Sequence, residues 1–230
     1  MSTSSRTLLT GAVVATPLFV TLWAVHAFTR DGFRPTFHPM SLLSLGEWGW
    51  VQVINFVVVG LLIVGGGIGF GRTLGVGRLT RWAGILVVLM GVGLVIAGVF
   101  VTDAGAGFPA GAPAGAPVMS WHGGVHQAGF VLTQFAFITA GIVLAVTFAR
   151  DRRRGWAAAC IIAVAAAILV AALGEPETLA IRLLLSSTIE LGLISSIALA
   201  SLLGRVANGS DDAAAVVYAE TDGSTSDLAR

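Results

Sequence analysis

Long apolar runs separated by short polar connections dominate the chain. Each of six runs holds about 20 mostly apolar residues, enough for a helix to cross a bilayer: Leu8–Phe28, Trp48–Phe70, Trp82–Val101, His122–Phe148, Trp156–Leu173 and Leu179–Leu203. The runs are too long for membrane β-strands and lack their alternation of apolar and polar residues. The pattern predicts an all-α polytopic membrane protein, a bundle of six transmembrane helices over residues 8–204.

The basic residues predict the orientation of these spans. All 13 are arginines, and all but Arg30, Arg34 and Arg182 lie on the side that carries both termini. The positive-inside rule therefore places both termini in the cytoplasm of a cell with an inner (cytoplasmic) membrane. Residues 1–7 form an N-terminal tail, and residues 205–230, rich in Ser, Asp, Ala and Gly, are predicted to be disordered. As an alternative, the first span is a signal peptide cleaved after Val25-His26-Ala27.

The composition fits a membrane protein and narrows the classes of partner. The chain is 56% hydrophobic and 11% charged, whereas soluble domains carry about 25% charged residues. Its net charge of +1 and its motifs give no basis for binding nucleic acid. The single cysteine, Cys160, excludes an intramolecular disulfide. Glycines that recur every seven residues in the third span (Gly84, Gly91 and Gly98) favour close helix packing, either within one bundle or in a homodimer.

All four histidines lie at the extracytoplasmic ends of the predicted spans or in the loop Thr29–Glu47. His122 and His126 are four residues apart, so they project from one face if the fourth span is helical there. Together with Asp103 they could bind a divalent metal ion, with His26 or His38 completing the set. The alternative is a structural network of hydrogen bonds that orders the loops. A haem held by His26 and His126 is not expected, because the cytoplasmic side offers no second pair.

The first long loop contains a second group of candidate residues. His38 and Ser41 could in principle form a base and a nucleophile, but no Gly-x-Ser-x-Gly elbow is present. The sequence also lacks a phosphate-binding loop, a dinucleotide fingerprint and a zinc-protease motif. Ser44, followed three residues later by Glu47, predicts a capping box for the second span.

Glu190 is the one ionisable residue deep inside a predicted span. It lies about 16 Å along the helix from the extracytoplasmic end. Carboxylates at this depth are costly and by default suggest function. Gln134 and Asn55 are candidate partners at similar depth. We expect either a proton relay or polar-ligand site, or a glutamate that holds helices together by hydrogen bonds.

Two blocks of sequence carry specific spacings. The first is HPMSLLSLGEWGWVQVINFVVVG, residues 38–60. The second runs from Gly91 through Gly98-Val99-Phe100 to Asp103, then Gly107-Phe108-Pro109, and ends at Ser120-Trp121-His122-Gly123-Gly124-Val125-His126. Together they resemble the bacterial and archaeal membrane-protein family catalogued as domain of unknown function 998, over about Leu9 to Ala149. Spans five and six match in hydropathy only, and Ala104 replaces a proline that is usual in the family.

The resemblance implies a helical protein of about six spans with no established activity. It singles out His38, Ser41, Asp103, His122 and His126. In layout alone the chain is also similar to six-span proteins of the Frag1, DRAM and Sfk1 type.

Three functions follow as hypotheses. The first is a non-catalytic membrane protein whose polar His/Asp site on the extracytoplasmic face binds a lipid or small ligand. The second is a metal-dependent membrane hydrolase or lipid-modifying enzyme that uses His122, His126 and Asp103. The third is a proton-coupled transporter that uses Glu190.

Overall fold

The computed structural model describes residues 1–75 and 77–206, and over this part the chain is all-helical without a β-strand. It has six long helices: α1 (Thr3–Thr29), α2 (Gly49–Thr73), α3 (Arg78–Val99), α4 (Trp121–Arg150), α5 (Arg154–Ala172) and α6 (Leu179–Leu202). Each is long and apolar enough to cross a membrane, so the predicted six-span architecture is confirmed. The orientation remains a prediction. Residues 207–230 of the predicted disordered tail, 205–230, lie outside the described residues.

The helices pack as a closed ring in chain order. Each contacts the next along the chain, and α6 returns to pack against α1. A hydrogen bond of 2.7 Å between Thr16 Oγ1 and Ser195 Oγ joins α1 to α6. Across the ring, α2 also touches α6. A ring of this kind encloses space along its axis wherever the side chains do not fill it.

Glycines set the closest helix contacts on one side of the ring. A side chain at Gly91 of α3 would lie 2.5 Å from the Gly60 carbonyl oxygen of α2. On the other face of α3, a side chain at Gly93 would lie 2.6 Å from the Gly129 carbonyl oxygen of α4. The predicted small-residue stripe therefore lets neighbouring helices of one chain approach closely. Homodimerisation remains a prediction.

The helices differ in length, and this opens one wall of the ring. With 30 residues α4 is about 45 Å long, whereas α5, with 19 residues, is about 28 Å long. Only residues 151–153 connect them, so α4 extends roughly 15 Å beyond α5 at the opposite end. We call this opposite end, which carries residues 30–48 and 100–120, the long-loop end.

The first long loop does not form the predicted capping box. The α2 helix begins at Gly49, after Trp48, and no side chain caps it. Ser44 instead belongs to a 3₁₀ turn, Met40–Ser44, in which its hydroxyl donates to the Ser41 carbonyl at 2.6 Å. A hydroxyl turned back into its own turn is unable to reach the first amides of α2, so the predicted cap was wrong.

Candidate functional site

Two histidines at the start of α4 contact backbone carbonyls at the end of α3. Nδ1 of His122 lies 3.0 Å from the Val101 oxygen. Nδ1 of His126 lies 2.8 Å from the Ala97 oxygen and 3.0 Å from the Phe100 oxygen. Because a carbonyl oxygen only accepts, Nδ1 carries the hydrogen in both rings. The two imidazoles thus supply donors to carbonyls that a helix end leaves without intrahelical partners.

Asp103, which follows α3, accepts hydrogen bonds at the start of α4. Its carboxylate accepts from the Ser120 backbone nitrogen at 2.8 Å and from the Ser120 hydroxyl at 2.6 Å. The same hydroxyl accepts from the Gly123 nitrogen at 3.1 Å, as an N-cap does. These bonds, led by the Ser120 hydroxyl, hold the pKa of Asp103 below its usual 3.8. A side chain at Gly123 would collide with the carboxylate, so glycine lets Asp103 approach the first turn of α4 closely.

The metal set predicted from the sequence is not assembled. His122 Nε2 and Asp103 Oδ1 are 3.8 Å apart, but His126 turns its Nδ1 to carbonyl oxygens. Among residues 1–75 and 77–206, no three His, Cys, Asp or Glu side chains are grouped so that they could hold a metal ion. The spacing of the two histidines serves capping instead, because α3 ends beside the first turns of α4.

His38 joins the two long loops to each other. Its Nδ1 accepts from the Arg34 nitrogen at 2.9 Å, and its Nε2 donates to the Ala106 carbonyl at 3.2 Å. The ring packs against Phe33 and Phe108, with centroids 5.4 Å away in each case. Both nitrogens are therefore occupied, and neither bonds to Ser41. The predicted His38–Ser41 pair does not form.

The environment of His38 favours its neutral form. Burial lowers the pKa of His38 below the usual 6.5, and the positive charge of Arg34 acts in the same direction. The bond to the Ala106 carbonyl opposes them in part. Protonation would also put a hydrogen on Nδ1, which accepts from Arg34 in the folded protein.

The second long loop is tied to itself around Phe108. The Ala106 nitrogen donates to the Gly115 carbonyl, and the Gly107 nitrogen donates to the Pro113 carbonyl, each at 2.8 Å. Phe108 is 2% exposed. The glycine- and proline-rich sequence thus forms a folded cover on His38.

His26 differs from the other three histidines. It lies in α1, is 5% exposed, and neither ring nitrogen has a hydrogen-bond partner among the described residues. Three other buried polar atoms on α1 and α2 share this property: Trp23 Nε1, Gln52 Nε2 and Asn55 Oδ1. Asn55 still donates to the Phe19 carbonyl of α1 at 3.1 Å. The α1–α2 interface thus contains buried polar groups that are only partly satisfied.

A cavity of about 360 Å³ occupies the ring at its long-loop end. Its mouth includes Ser41, Thr102 and Leu179, and its deepest part includes Glu190. Eleven of its 19 lining residues are apolar: Phe19, Pro39, Met40, Phe56, Met90, Leu94, Ala97, Phe130, Leu179, Leu183 and Leu191. Its volume falls in the range of about 300–1,000 Å³ that is usual for ligand sites.

Glu190 forms the polar floor of this cavity. Its Oε1 lies 2.9 Å from Gln134 Nε2 and 3.0 Å from Ser186 Oγ. Of the two partners predicted from depth, Gln134 contacts Glu190, whereas Asn55 bonds to α1. Arg182 also lies apart, because its guanidinium donates to the carbonyls of Ala171 and Glu175. The pair of Glu190 and Gln134 also lines a second cavity of about 300 Å³ beside α5.

The structure divides the predicted site residues into two groups. Ser41, His126 and Glu190 line the central cavity, whereas His26, His38, Asp103 and His122 do not. The sequence reasoning missed Ser187, another cavity-lining residue. Its signal was available: Ser187 lies three residues before Glu190, on the helical stripe that begins with Leu179 and Leu183.

These features define a class: a multi-pass helical membrane protein whose ring of six helices surrounds a cavity. Residues 13–206 match the family model described as protein of unknown function (DUF998). The chain belongs to that family, as its sequence motifs predicted. Comparisons with curated proteins and with solved structures gave no match. The likeness in layout to Frag1-type proteins stays a prediction.

Proposed function

We propose that this protein binds a lipid or small amphipathic ligand in the central cavity, without chemical turnover. The observation that carries the proposal is the cavity itself, which places polar side chains at its mouth and floor and apolar ones between. An amphipathic molecule could bury its chain there and still satisfy its polar atoms. The predicted topology places the mouth on the extracytoplasmic side.

Access to the cavity fits a membrane-derived ligand. Because α5 is shorter than α4, it leaves a gap in the ring of helices beside α4 at the long-loop end. Leu179, at the start of α6, is 41% exposed and also lines the cavity. A ligand could therefore enter from the lipid phase as well as from water.

The absence of turnover is inferred from the state of the candidate catalytic groups. His38 uses both nitrogens, and His122, His126 and Asp103 are engaged in caps. Ser41 and His126 both line the cavity, but no hydrogen bond joins them in the described part of the chain. The cavity thus offers binding groups without an activated nucleophile.

Ligand occupancy of purified full-length protein tests the proposal. Native mass spectrometry should detect a co-purifying molecule, and Ser187→Phe, which fills the cavity, should abolish it. Leu185→Phe is the matched control, because Leu185 is 48% exposed on the same helix. Absence of any bound molecule in the wild-type protein, or its retention in Ser187→Phe, would contradict the proposal.

Single-cysteine labelling tests the orientation. In a Cys160→Ser background, Ala114→Cys should react with a membrane-impermeant maleimide in intact cells. Asp151→Cys, in the connection between α4 and α5, should react only after permeabilisation. The reverse pattern would place the cavity mouth in the cytoplasm.

Glu190 supports a second candidate, proton-coupled transport. It is 2% exposed, faces the cavity and forms no salt bridge among the described residues. Glu190→Gln keeps the shape of the side chain but removes its ability to exchange a proton. The test uses vesicles that contain the reconstituted protein and carry an imposed pH gradient. They should show a flux of substrate that Glu190→Gln abolishes. A flux unaffected by that change would exclude the transport role.

A further inference from the structure

Among the described residues that line the central cavity there is no arginine or lysine. The three arginines at the long-loop end of the described chain are engaged elsewhere. Arg30 donates to the Leu45 carbonyl at 2.7 Å, and Arg34 lies 4.3 Å from the centre of the Phe37 ring. Arg182 donates to carbonyls at the end of α5. A phosphate head in this cavity would be desolvated without a cationic partner, beside the Glu190 carboxyl, which is strongly unfavourable.

The floor of the cavity keeps acceptor oxygens for a ligand. Gln134 Nε2 uses one of its two hydrogens to donate to Glu190, so its second hydrogen and its carbonyl oxygen Oε1 remain. Both hydrogen bonds of Glu190 are made at Oε1, which leaves Oε2 without a partner in the described residues. An amide oxygen accepts only, and Oε2 of Glu190 accepts when the carboxyl is ionised.

A further acceptor lies nearer the mouth. His126 uses its Nδ1 hydrogen for the carbonyls of Ala97 and Phe100. In a neutral imidazole the other nitrogen, Nε2, is then an acceptor. His126 thus adds a third acceptor along the cavity, whereas Ser41 and Ser187 offer hydroxyls that can donate or accept.

We propose that the cavity is selective for an uncharged amphiphile whose head group carries a hydroxyl. The hydroxyl would donate to an acceptor of the Gln134–Glu190 pair or of His126, and the chain would lie against the apolar lining. An anionic head lacks a partner cation, and an ammonium head would lose its hydration for a single carboxyl. This inference rests on the proposed function, because it names the chemistry of the ligand in the same cavity.

Four probes with one chain and different heads test the selectivity. Full-length protein in detergent is titrated with oleyl alcohol, its methyl ether, oleyl phosphate and oleylamine, and occupancy is read by native mass spectrometry. We expect the alcohol to bind about tenfold more tightly than the ether, which retains the oxygen but is unable to donate. Oleyl phosphate and oleylamine should bind more weakly than the alcohol.

A variant tests whether the preference for the alcohol over the ether arises at the floor of the cavity. Gln134→Leu should lower the ratio of alcohol to ether affinity severalfold while leaving ether binding intact, so that ether binding reports on folding. Thr139→Val on the exposed side of α4 is the matched control and should keep the wild-type ratio. If the fold of Gln134→Leu fails, Ser187→Ala provides the same ratio measurement with a smaller expected change.

The outcomes separate the two proposals. Tighter binding of the phosphate, the amine or the ether than of the alcohol would overturn the inferred selectivity and leave ligand binding in place. An unchanged ratio in both Gln134→Leu and Ser187→Ala would also overturn it. Failure of all four probes to bind, together with an empty purified protein, would overturn both.

Discussion

His26 and His126 are two histidines buried almost equally, 5% and 6% exposed, in helices that meet the same end of the bundle. His126 donates to two carbonyls of α3, whereas His26 has no partner among the described residues. The difference shows that burial of a polar side chain does not by itself indicate what it does. In the α3–α4 junction the polar groups fix the register of two helices, but in the α1–α2 interface several are left unsatisfied.

The largest expected difference comes from replacing each histidine with leucine. His126→Leu leaves the Ala97 and Phe100 carbonyls without a side-chain donor and should destabilise the fold by about 1–3 kcal/mol. His26→Leu removes a buried polar ring that forms no hydrogen bond within the described part of the chain, so it should be neutral or stabilising. Unfolding in a series of mixed detergents measures the change in unfolding free energy for both variants. Equal losses in the two variants would contradict the comparison.

Adjacent glycines give the next test of the junction. Gly123→Ala places a methyl group against the Asp103 carboxylate and should destabilise the fold by roughly 1–2 kcal/mol. Gly124→Ala is the matched control, because the nearest atom to a side chain there is Met119 Sδ at 4.0 Å. It should be tolerated or slightly stabilising through the helix propensity of alanine. Thermal unfolding measures the stability of both variants. Equal tolerance at the two positions would be evidence against close packing of Gly123 on the Asp103 carboxylate.

His38 bonds to Arg34 in the first long loop and to Ala106 in the second, and we call this connection the loop staple. It should make the stability of the fold depend on pH. Because folding lowers the pKa of His38 below 6.5, the unfolded chain binds the proton more readily. The contribution to stability is then complete above pH 6.5 and is lost as pH falls through the lowered pKa. Unfolding followed from pH 7.5 to 5 should show this slope, and His38→Asn should flatten it. A slope that survives His38→Asn would assign it to another group.

Asp103 should act in a separate, more acidic window. Its pKa is held below 3.8 by Ser120, so its contribution is present above pH 3.8 and is lost as pH falls through the lowered value. Asp103→Asn should remove the dependence below pH 4 and leave the His38 slope unchanged. If the two pH ranges overlapped, Asp103 and His38 would not titrate independently.

The smallest expected effect is that of metal. Zinc added to the purified protein should leave its unfolding temperature unchanged, because His126 and Asp103 are occupied by backbone and serine partners. A stabilisation that increases with zinc concentration and disappears in both His122→Ala and His126→Ala would restore the metal site that the sequence predicted.

Parts of the candidate site could be predicted from sequence and parts could not. The depth of Glu190 follows from its position in an apolar run, and so does the value of Gln134 as a partner at that depth. The role of His126 did not follow, because its partners lie 26 and 29 residues earlier in the chain. Spacing of four residues shows that two imidazoles share a face, but it does not show what the face contacts.

The class of protein follows from the amino-acid sequence alone, because the length and hydropathy of a span are local properties set by the bilayer. The family also follows from the sequence, through two motif blocks. The packing of the helices was needed to show that α6 closes the ring on α1, that His38 joins one long loop to the other, and that Ser41, His126 and Glu190 line one cavity. These are contacts between segments that lie far apart in the chain, and the local pattern of apolar and polar residues does not encode which segments meet.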